Sequence, residues 1–218
     1  MDPKEMQKSH PWQTDLSAGI VIAALALGGL TAWLLPVLSP IFLLNFLFFV
    51  EPKGFLREKL CGEWKFPLRF LGDALLIALG ATVISAGVTN VWMKVLYGLF
   101  GLKPDLMQEI ARIFLEASPG VKIALAWNIL IIAPITEELI FRRLLFDLCG
   151  RFLPRWGAFV LTALLFSLAH RHLASVAGLF CFGLILQAFY QGTRNLLVPV
   201  AIHIFFNGIA LIGLLLFA

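Results

Sequence analysis

The chain has 218 residues, of which 60% are hydrophobic and 14% charged, with a net charge of +4 and a mean hydropathy of +0.91. Soluble domains carry about 25% charged residues, so this composition excludes an ordinary soluble protein and indicates an integral membrane protein. The basic residues lie beside apolar runs and form no stripe with stacked aromatics, which argues against nucleic-acid binding. The apolar runs are too long and unalternating for a transmembrane β-barrel. We therefore expect an all-α, polytopic transmembrane helical bundle of about six to eight spans.

The first part of the chain predicts membrane spans separated by a basic loop. Leu16–Leu35 is long enough for a span and longer than the apolar core of a secretory signal. Pro40–Val50 is predicted to be a short span or a re-entrant segment, and Glu51–Arg69, which is rich in basic residues, a cytoplasmic loop. The next predicted span runs from Phe70 to about Thr89. It contains small residues that permit close helix packing, namely Gly80, Ala81, Ser85, Ala86 and Gly87.

The second part of the chain predicts an amphipathic helix and four further spans. The segment from Asp105 to Ala117 has apolar residues at helical spacing and is predicted to lie at the opposite membrane interface. The further spans are predicted at Val121 to about Ile140, Gly157 to about His170, Ala174 to Tyr190, and Leu196 to Ala218. A basic connection is predicted to contain Arg142, Arg143, Arg151 and Arg155. These elements divide the chain into N-terminal spans, residues 1–117, and a membrane core, residues 118–218.

The first span of this core ends with two acidic and two basic residues, T-E-E-L-I-F-R-R. A charged side chain at the centre of a membrane helix costs about 2.5–3.5 kcal/mol on insertion scales. Glu137 and Glu138 are neighbours and point about 100° apart on a helix, whereas Glu138 and Arg142 share a face. One carboxylate is therefore able to pair with Arg142, which leaves the other for chemistry. Pro134 lacks a backbone donor and predicts a distortion of the helix just before this pair.

Two later spans each carry a histidine motif. F-S-L-A-H places Phe166 and His170 on one helix face, and H-I-F-F-N places His203 and Asn207 on one face. Each polar pattern has a structural explanation when it is taken alone, as an interfacial ion pair, an interfacial histidine or a hydrogen bond between helices. The occurrence of all three patterns on three membrane helices is much harder to explain structurally and indicates a functional site.

Together, E-E-L-I-F-R at 137–142, F-S-L-A-H at 166–170 and H-I-F-F-N at 203–207 resemble the three motifs of a known membrane protein family. This is the CPBP family, the CAAX protease and bacteriocin-processing or Abi family of intramembrane endopeptidases, which includes the Ras-converting CAAX prenyl proteases. The resemblance covers roughly residues 118–210 and implies that the membrane core is catalytic. The first hundred residues carry no signature of this family.

The resemblance implies a glutamate-dependent endopeptidase that hydrolyses a peptide bond of a membrane-associated protein near the membrane surface. Glu137 is expected to be the general base, and His170 to orient or deprotonate the attacking water. His203 and Asn207 are expected to bind the oxyanion of the tetrahedral intermediate. The assignment of the base to the first of the two adjacent glutamates comes from the resemblance and not from the spacing.

Supporting roles at this site are expected for Glu138, Arg142 and Phe166, with Arg142 keeping Glu138 ionised. The expected partners are a membrane-anchored or lipidated protein or peptide substrate and the lipid bilayer, without nucleic acid. The expected location is the plasma (inner) membrane if the protein is prokaryotic. Substrate identity, a requirement for prenylation and the oligomeric state stay open.

No cofactor is expected, and a zinc ion is the less favoured alternative. His170, His172, His203 and Glu137 offer ligands of the types that zinc accepts, but H-E-x-x-H is absent from the sequence. Asn207, close to His203, suits an oxyanion donor better than a metal ligand. The sequence also lacks G-x-S-x-G, and its 3 cysteines are far apart without C-x-x-C, which argues against a disulfide framework or a thiolate metal site.

Two other classes of function stay open at this point. One is a non-catalytic membrane scaffold or a bacteriocin-immunity-type protein that keeps the fold and binds a partner. The other is a transporter with Glu137 and Glu138 in a proton pathway, although the sequence shows no inverted repeat that would support it.

The predicted spans contain one geometric conflict. With Arg155 and Leu196 at the basic membrane surface and a rise of about 1.5 Å per residue, His203 lies about 10 Å deep and His170 about 20 Å deep. Glu137 would lie shallower than either histidine, whereas a catalytic cluster requires the three to converge. The basic stretch after Glu137 must therefore lie partly within the bundle, or the predicted boundaries are shifted by about one turn.

Overall fold

The computed structural model describes residues 70–217. The predicted spans Leu16–Leu35 and Pro40–Val50 and the predicted loop Glu51–Arg69 lie outside the described residues. The described part of the chain folds into helices, as the composition predicts. They are α1 (Phe70–Phe100), α2 (Glu109–Glu116), α3 (Pro119–Cys149), α4 (Arg155–Ala169), α5 (Val176–Thr193) and α6 (Leu197–Phe217).

Four of these helices, α1, α3, α5 and α6, are long and apolar enough to cross a membrane. Helix α4 is also apolar but has only 15 residues, which corresponds to about 22 Å at the helical rise of 1.5 Å per residue. The hydrocarbon core of a bilayer is about 30 Å thick, so α4 is shorter than a usual span. The protein is an integral membrane protein with several spanning helices.

Helix α1 continues past its predicted end near Thr89. Asn90 does not stop the helix, because its side-chain amide donates to the Ala86 carbonyl one turn earlier, at 2.9 Å. The helix ends instead at Phe100. The next residue, Gly101, has a left-handed φ of 67°, and its N–H bonds to the Tyr97 carbonyl. A left-handed glycine after the last helical turn is a common helix stop.

Helix α2 is the predicted amphipathic helix, with a later start than the sequence pattern indicates. The Asp105 carboxylate accepts a hydrogen bond of 2.9 Å from the Met107 N–H. This local turn competes with helix formation and delays the first helical turn to Glu109. Phe114 is buried, whereas Leu106, which precedes the helix, is exposed.

Helix α3 contains a wide π-helical segment, Asn128–Ile132. At its end, the Ala133 N–H bonds to the Asn128 carbonyl, five residues earlier. In this pattern the Ile129 carbonyl would meet the nitrogen of Pro134, which has no hydrogen to donate. The distortion predicted near Pro134 is therefore present, and it leaves a backbone carbonyl available to another donor.

A second wide segment, Leu139–Leu145, continues α3 well past its predicted end near Ile140. The predicted basic connection is wrong here, because Arg142 and Arg143 lie inside the helix. Arg142 is fully buried, since its charge is matched by an acidic side chain one turn earlier in the same helix. The basic stretch therefore lies within the bundle, which removes the conflict in depth between the motif residues.

Helix α1 packs against α5 and α6 through small buried side chains, which are Ala74, Ala78, Ala81 and Ser85. Of the predicted small residues, Ala81 and Ser85 lie on this face, whereas Gly80 and Gly87 adjoin open space. Across the contact, a Cβ added at Gly178 of α5 would lie 2.7 Å from the Ser85 carbonyl oxygen. The approach of α1 to α5 therefore depends on glycine at position 178.

Candidate active site

The three motif-bearing helices α3, α4 and α6 bring Glu137 and two histidines together. The Oε2 atom of Glu137 lies 3.9 Å from Nε2 of His170 and 3.8 Å from Nε2 of His203. These three residues come from sequence positions separated by whole membrane helices, and each was predicted from a different motif. Both histidines present the same ring nitrogen, Nε2, to one carboxylate oxygen.

Glu138 and Arg142 form a fully buried ion pair within α3. Arg142 Nε lies 2.9 Å from Glu138 Oε2, and both side chains have 0% exposure. The other carboxylate oxygen, Oε1, lies 2.9 Å from Nδ1 of His203. The i,i+4 pair expected from the sequence is therefore present, and it extends to a third residue on α6.

The two adjacent glutamates have different surroundings. The Glu137 side chain is 26% exposed, whereas that of Glu138 is completely buried. Glu137 Oε2 accepts no hydrogen bond from any residue within 70–217. Both oxygens of Glu138 are engaged by Arg142 and His203. Both oxygens of Glu138 thus lie 2.9 Å from a basic side chain, whereas the histidine nitrogens nearest to Glu137 Oε2 lie 3.8 and 3.9 Å away.

The hydrogen bond of His170 to its own helix defines which ring nitrogen carries hydrogen. His170 Nδ1 lies 2.8 Å from the backbone oxygen of Phe166. A carbonyl oxygen accepts and does not donate, so Nδ1 is the protonated nitrogen. In the neutral ring, Nε2 is then a hydrogen-bond acceptor, and this is the nitrogen that faces Glu137.

Phe166 lies at the centre of the cluster and has 0% exposure. Its ring centroid is 4.8 Å from that of His170 and 5.8 Å from that of His203. The guanidinium carbon of Arg142 lies 4.7 Å from the same centroid, a cation–π contact. Gly183 of α5 leaves room for this ring, because a Cβ there would lie 3.2 Å from Phe166 Cδ1. Phe166 thus contacts both His170 and the buried Arg142.

Asn207 connects α6 to the wide segment of α3. Its Nδ2 donates to the Ile129 carbonyl oxygen at 2.9 Å, the carbonyl that Pro134 leaves without a helical partner. In the described part of the chain this hydrogen bond goes to backbone and not to another motif side chain. A carboxamide has two N–H donors, and this hydrogen bond uses one of them.

The family comparison matches the part of the chain that builds this cluster. The model of the family described as Type II CAAX prenyl endopeptidase Rce1-like matches residues 119–209. Residues 119–209, the Rce1-like segment, are similar to this family. The resemblance inferred from the three motifs is confirmed, and the Rce1-like family is a protease family. No match was found among curated proteins or solved structures.

The Rce1-like segment also contains aromatic residues at the site that sequence reasoning missed. Phe182 of α5 is fully buried and lies 5.2 Å from the His203 ring at an interplanar angle of 82°. Its other neighbour is Phe206, stacked on it at 3.7 Å. Phe206 lies within the third motif, but Phe182 belongs to a uniformly apolar run that gives no sequence signal. These rings fix the orientation of the His203 imidazole.

The residues considered for zinc are only partly brought together in the Rce1-like segment. His172 lies in the connection between α4 and α5, where its Nδ1 is 2.9 Å from the Ser175 hydroxyl. Burial lowers the pKa of His172, a hydrogen bond with the Met107 backbone raises it, and His170 lowers it further. Within residues 70–217, no three His, Cys, Asp or Glu side chains are arranged to hold a metal ion.

Proposed function

We propose that the protein is an intramembrane endopeptidase in which Glu137 activates a water molecule for peptide hydrolysis. The observation that carries this proposal is the convergence of Glu137 Oε2 with His170 Nε2 at 3.9 Å and His203 Nε2 at 3.8 Å. These separations exceed hydrogen-bond distance and suit groups that share one bridging water. The Rce1-like match over residues 119–209 supports peptidase chemistry.

Glu137 is the better candidate for the general base because of its surroundings. A base must reach the proton that it abstracts, directly or through one water. Glu137 is partly exposed and has an oxygen without a protein donor in the described residues. Glu138 is completely buried, with Oε2 in an ion pair with Arg142 and Oε1 hydrogen-bonded to His203. Glu138 therefore suits a supporting role in the reaction.

In the proposed step, a single water molecule donates two hydrogen bonds. One goes to Glu137 and the other to Nε2 of neutral His170. Its lone pair then points away from both acceptors, toward the substrate carbonyl carbon. As the oxygen–carbon bond forms, the water proton passes to Glu137 and the carbonyl oxygen becomes an oxyanion. The carbon–nitrogen bond then breaks, and the same proton passes from Glu137 to the leaving amine.

His203 and Asn207 are the proposed donors to the oxyanion. Hydrogen-bond donors that are fixed before the reaction stabilise the charge that develops in the transition state. The His203 ring is held between the Phe182 ring and Glu138, and Asn207 is anchored by one N–H to the Ile129 carbonyl. Both side chains are therefore positioned without the substrate.

The proposed substrate is a membrane-anchored or lipidated protein cleaved near the membrane surface, and a prenylated C-terminal CAAX protein fits the family description. Residues 118–218 are the proposed catalytic core, and residues 1–117 are the proposed N-terminal membrane spans. No cofactor is part of the proposal. The proposed location is the plasma (inner) membrane if the protein is prokaryotic.

A cleavage assay on co-expressed substrates tests this function. A panel of tagged prenylated and membrane-anchored proteins is compared between wild type and Glu137→Ala, Glu137→Gln and His203→Ala at equal expression. We expect a product with wild type that disappears in all three variants, whereas Trp127→Phe, a conservative change at an exposed position, retains cleavage. Biological function that survives in all three variants would contradict the catalytic proposal and favour a scaffold.

Metal dependence is tested on the purified protein with the same substrate. We expect full activity after chelation, in a sample shown by elemental analysis to contain no zinc. Activity that disappears on chelation and returns with stoichiometric zinc would replace Glu137-activated water by a metal-dependent mechanism.

A further inference from the structure

Glu138 contacts two buried basic side chains, Arg142 in an ion pair and His203 through a hydrogen bond, and this defines its own charge. Its Oε2 lies 2.9 Å from Arg142 Nε, with both side chains at 0% exposure. A guanidinium stays protonated in proteins, and a buried charge without a counterion is strongly unfavourable. Glu138 must therefore be ionised to balance Arg142, so each of its oxygens is an acceptor.

An ionised Glu138 determines which nitrogen of His203 carries hydrogen. Its Oε1 lies 2.9 Å from Nδ1 of His203, so Nδ1 must donate. A neutral His203 would then present the Nε2 lone pair to the reaction centre and could not donate to an oxyanion there. An imidazolium would present an Nε2–H donor instead.

The charges around His203 favour the imidazolium. On α3, the two carboxylates of Glu137 and Glu138 face the single guanidinium of Arg142. These three side chains together therefore carry one uncompensated negative charge. On α4, His170 presents an acceptor nitrogen when it is neutral. On α5, the uncharged Phe182 packs against the His203 ring, and the buried face of α1 consists of small or apolar residues. Protonated His203 makes the cluster neutral.

We infer that Glu138 is a positioning residue that holds His203 as an imidazolium and directs its Nε2–H toward the oxyanion. This inference rests on the proposed peptidase function for its catalytic meaning, but the protonation of His203 is a property of the substrate-free protein. Arg142 keeps Glu138 negatively charged, so that the shared proton stays on His203. The two adjacent glutamates thus have separate tasks, since Glu137 takes a proton from water and Glu138 holds one on a donor.

In this arrangement the oxyanion accepts a hydrogen bond from a charged donor, the Nε2–H of His203, rather than from a neutral one. Hydrogen bonds from a charged donor are roughly twice as strong as those between neutral groups. The positive charge also lies 3.8 Å from Glu137 Oε2, where it opposes premature protonation of the base. Removal of the Glu138 charge is therefore expected to weaken oxyanion binding without removing any group that touches the substrate.

Nitrogen NMR of the full-length protein, labelled at histidine and reconstituted in nanodiscs, tests the inference without a substrate. The chain has only 4 histidines, so His203 is assigned by comparison with His203→Gln. We expect both ring nitrogens of His203 to be protonated in wild type at neutral pH. A resonance from an unprotonated Nε2 in wild type would overturn the inference, whatever the peptidase assay shows.

Two substitutions at position 138 separate charge from shape. Glu138→Gln keeps the size and an acceptor oxygen but removes the charge, whereas Glu138→Asp keeps the charge on a shorter side chain. We expect Glu138→Gln to lose one of the two His203 protons and Glu138→Asp to retain both. The opposite order would show that Glu138 acts through packing alone and would overturn the inference.

Kinetics with a cleaved substrate provide the catalytic test. We expect Glu138→Gln to lower kcat by about 10²–10³-fold, the usual effect of losing one oxyanion donor, with little change in KM. Glu138→Asp should restore part of that loss. A protonated His203 in a protein that cleaves nothing would count against the proposed function and leave the charge assignment intact. Unchanged kcat in Glu138→Gln would overturn the catalytic role of this charge.

Discussion

Asn207 on α6 donates its side-chain N–H to the backbone carbonyl of Ile129 on α3, at 2.9 Å. This is the carbonyl that would face Pro134 in the wide segment of α3, and proline has no hydrogen to give it. A proline in one membrane helix thus creates the acceptor for a motif residue in another. The distortion of α3 and the position of Asn207 are two parts of one interaction.

Replacement of this proline is expected to reduce activity without unfolding the protein. Pro134→Ala restores an N–H that competes with Asn207 for the Ile129 carbonyl, and helix interiors prefer alanine to proline by about 3 kcal/mol. We expect an unchanged or higher thermal midpoint together with a lower kcat. Pro119→Ala, at the first position of α3 where no helical N–H is needed, is the matched control and should retain activity. A fully active Pro134→Ala protein would contradict this coupling.

Removal of the buried guanidinium is expected to destabilise the fold. Arg142→Met removes the guanidinium and leaves His203 as the remaining partner of the buried Glu138 carboxylate, and breaking a buried ion pair costs about 3–5 kcal/mol. Arg143→Met is the neighbouring control, because Arg143 pairs with Asp147 in a partly exposed position. Exposed pairs contribute about 0–1 kcal/mol. Unfolding free energies in detergent should therefore differ clearly between the two variants, and equal values would argue against a charged Glu138.

A methyl group added at Gly178 is expected to push α5 away from α1. Its Cβ would lie 2.7 Å from the Ser85 carbonyl and closer still to Thr89 Oγ1, and overpacking of this kind costs about 1–3 kcal/mol. Gly80→Ala, on α1, is the control, because nothing lies within 4 Å of the Cβ position of residue 80. That change should be neutral or stabilising, since alanine is the better helix former. Thermal unfolding of both variants measures the difference.

The connection that follows His170 is expected to weaken the fold at acidic pH. Burial lowers the pKa of His172 below its unfolded value of about 6.5, so the unfolded state binds the proton more readily. The contribution of His172 to stability is thus complete above pH 6.5 and declines as the pH falls through that value. His172→Gln should lose less stability than wild type between neutral pH and pH 5.5. Parallel pH profiles of the two proteins would contradict this assignment.

The sequence predicts the motif residues better than it predicts their depth. The sequence shows the i,i+4 spacing of Glu138 with Arg142 and of Phe166 with His170, and the structure shows both contacts. The predicted end of α3 is too early, because adjacent basic residues such as Arg142 and Arg143 usually mark a loop at the membrane surface. The burial of Arg142 depends on a carboxylate in the same helix, Glu138, and an aromatic ring on another, Phe166.

Other parts of the site leave no trace in the sequence. The Ile129 carbonyl is a backbone group present at every position of the chain, and only tertiary packing selects it as the acceptor. Phe182 is one apolar residue among many in α5, and its contact with His203 depends on the way that α5 and α6 pack. Side-chain chemistry is readable from residue types, whereas backbone acceptors and packing partners require the fold.

The short helix α4 bears on the kind of bilayer that the protein prefers. Along one side it exposes a row of large apolar side chains at four-residue spacing, which are Trp156, Val160, Leu164 and Leu168. A lipid-facing helix of about 22 Å is shorter than the hydrocarbon thickness, and lipids adjust to such a mismatch by local thinning. Thinning beside α4 would shorten the path of a polar peptide from the headgroups to His170. We therefore expect proteolysis to be faster in vesicles of short-chain lipids than in vesicles of long-chain lipids.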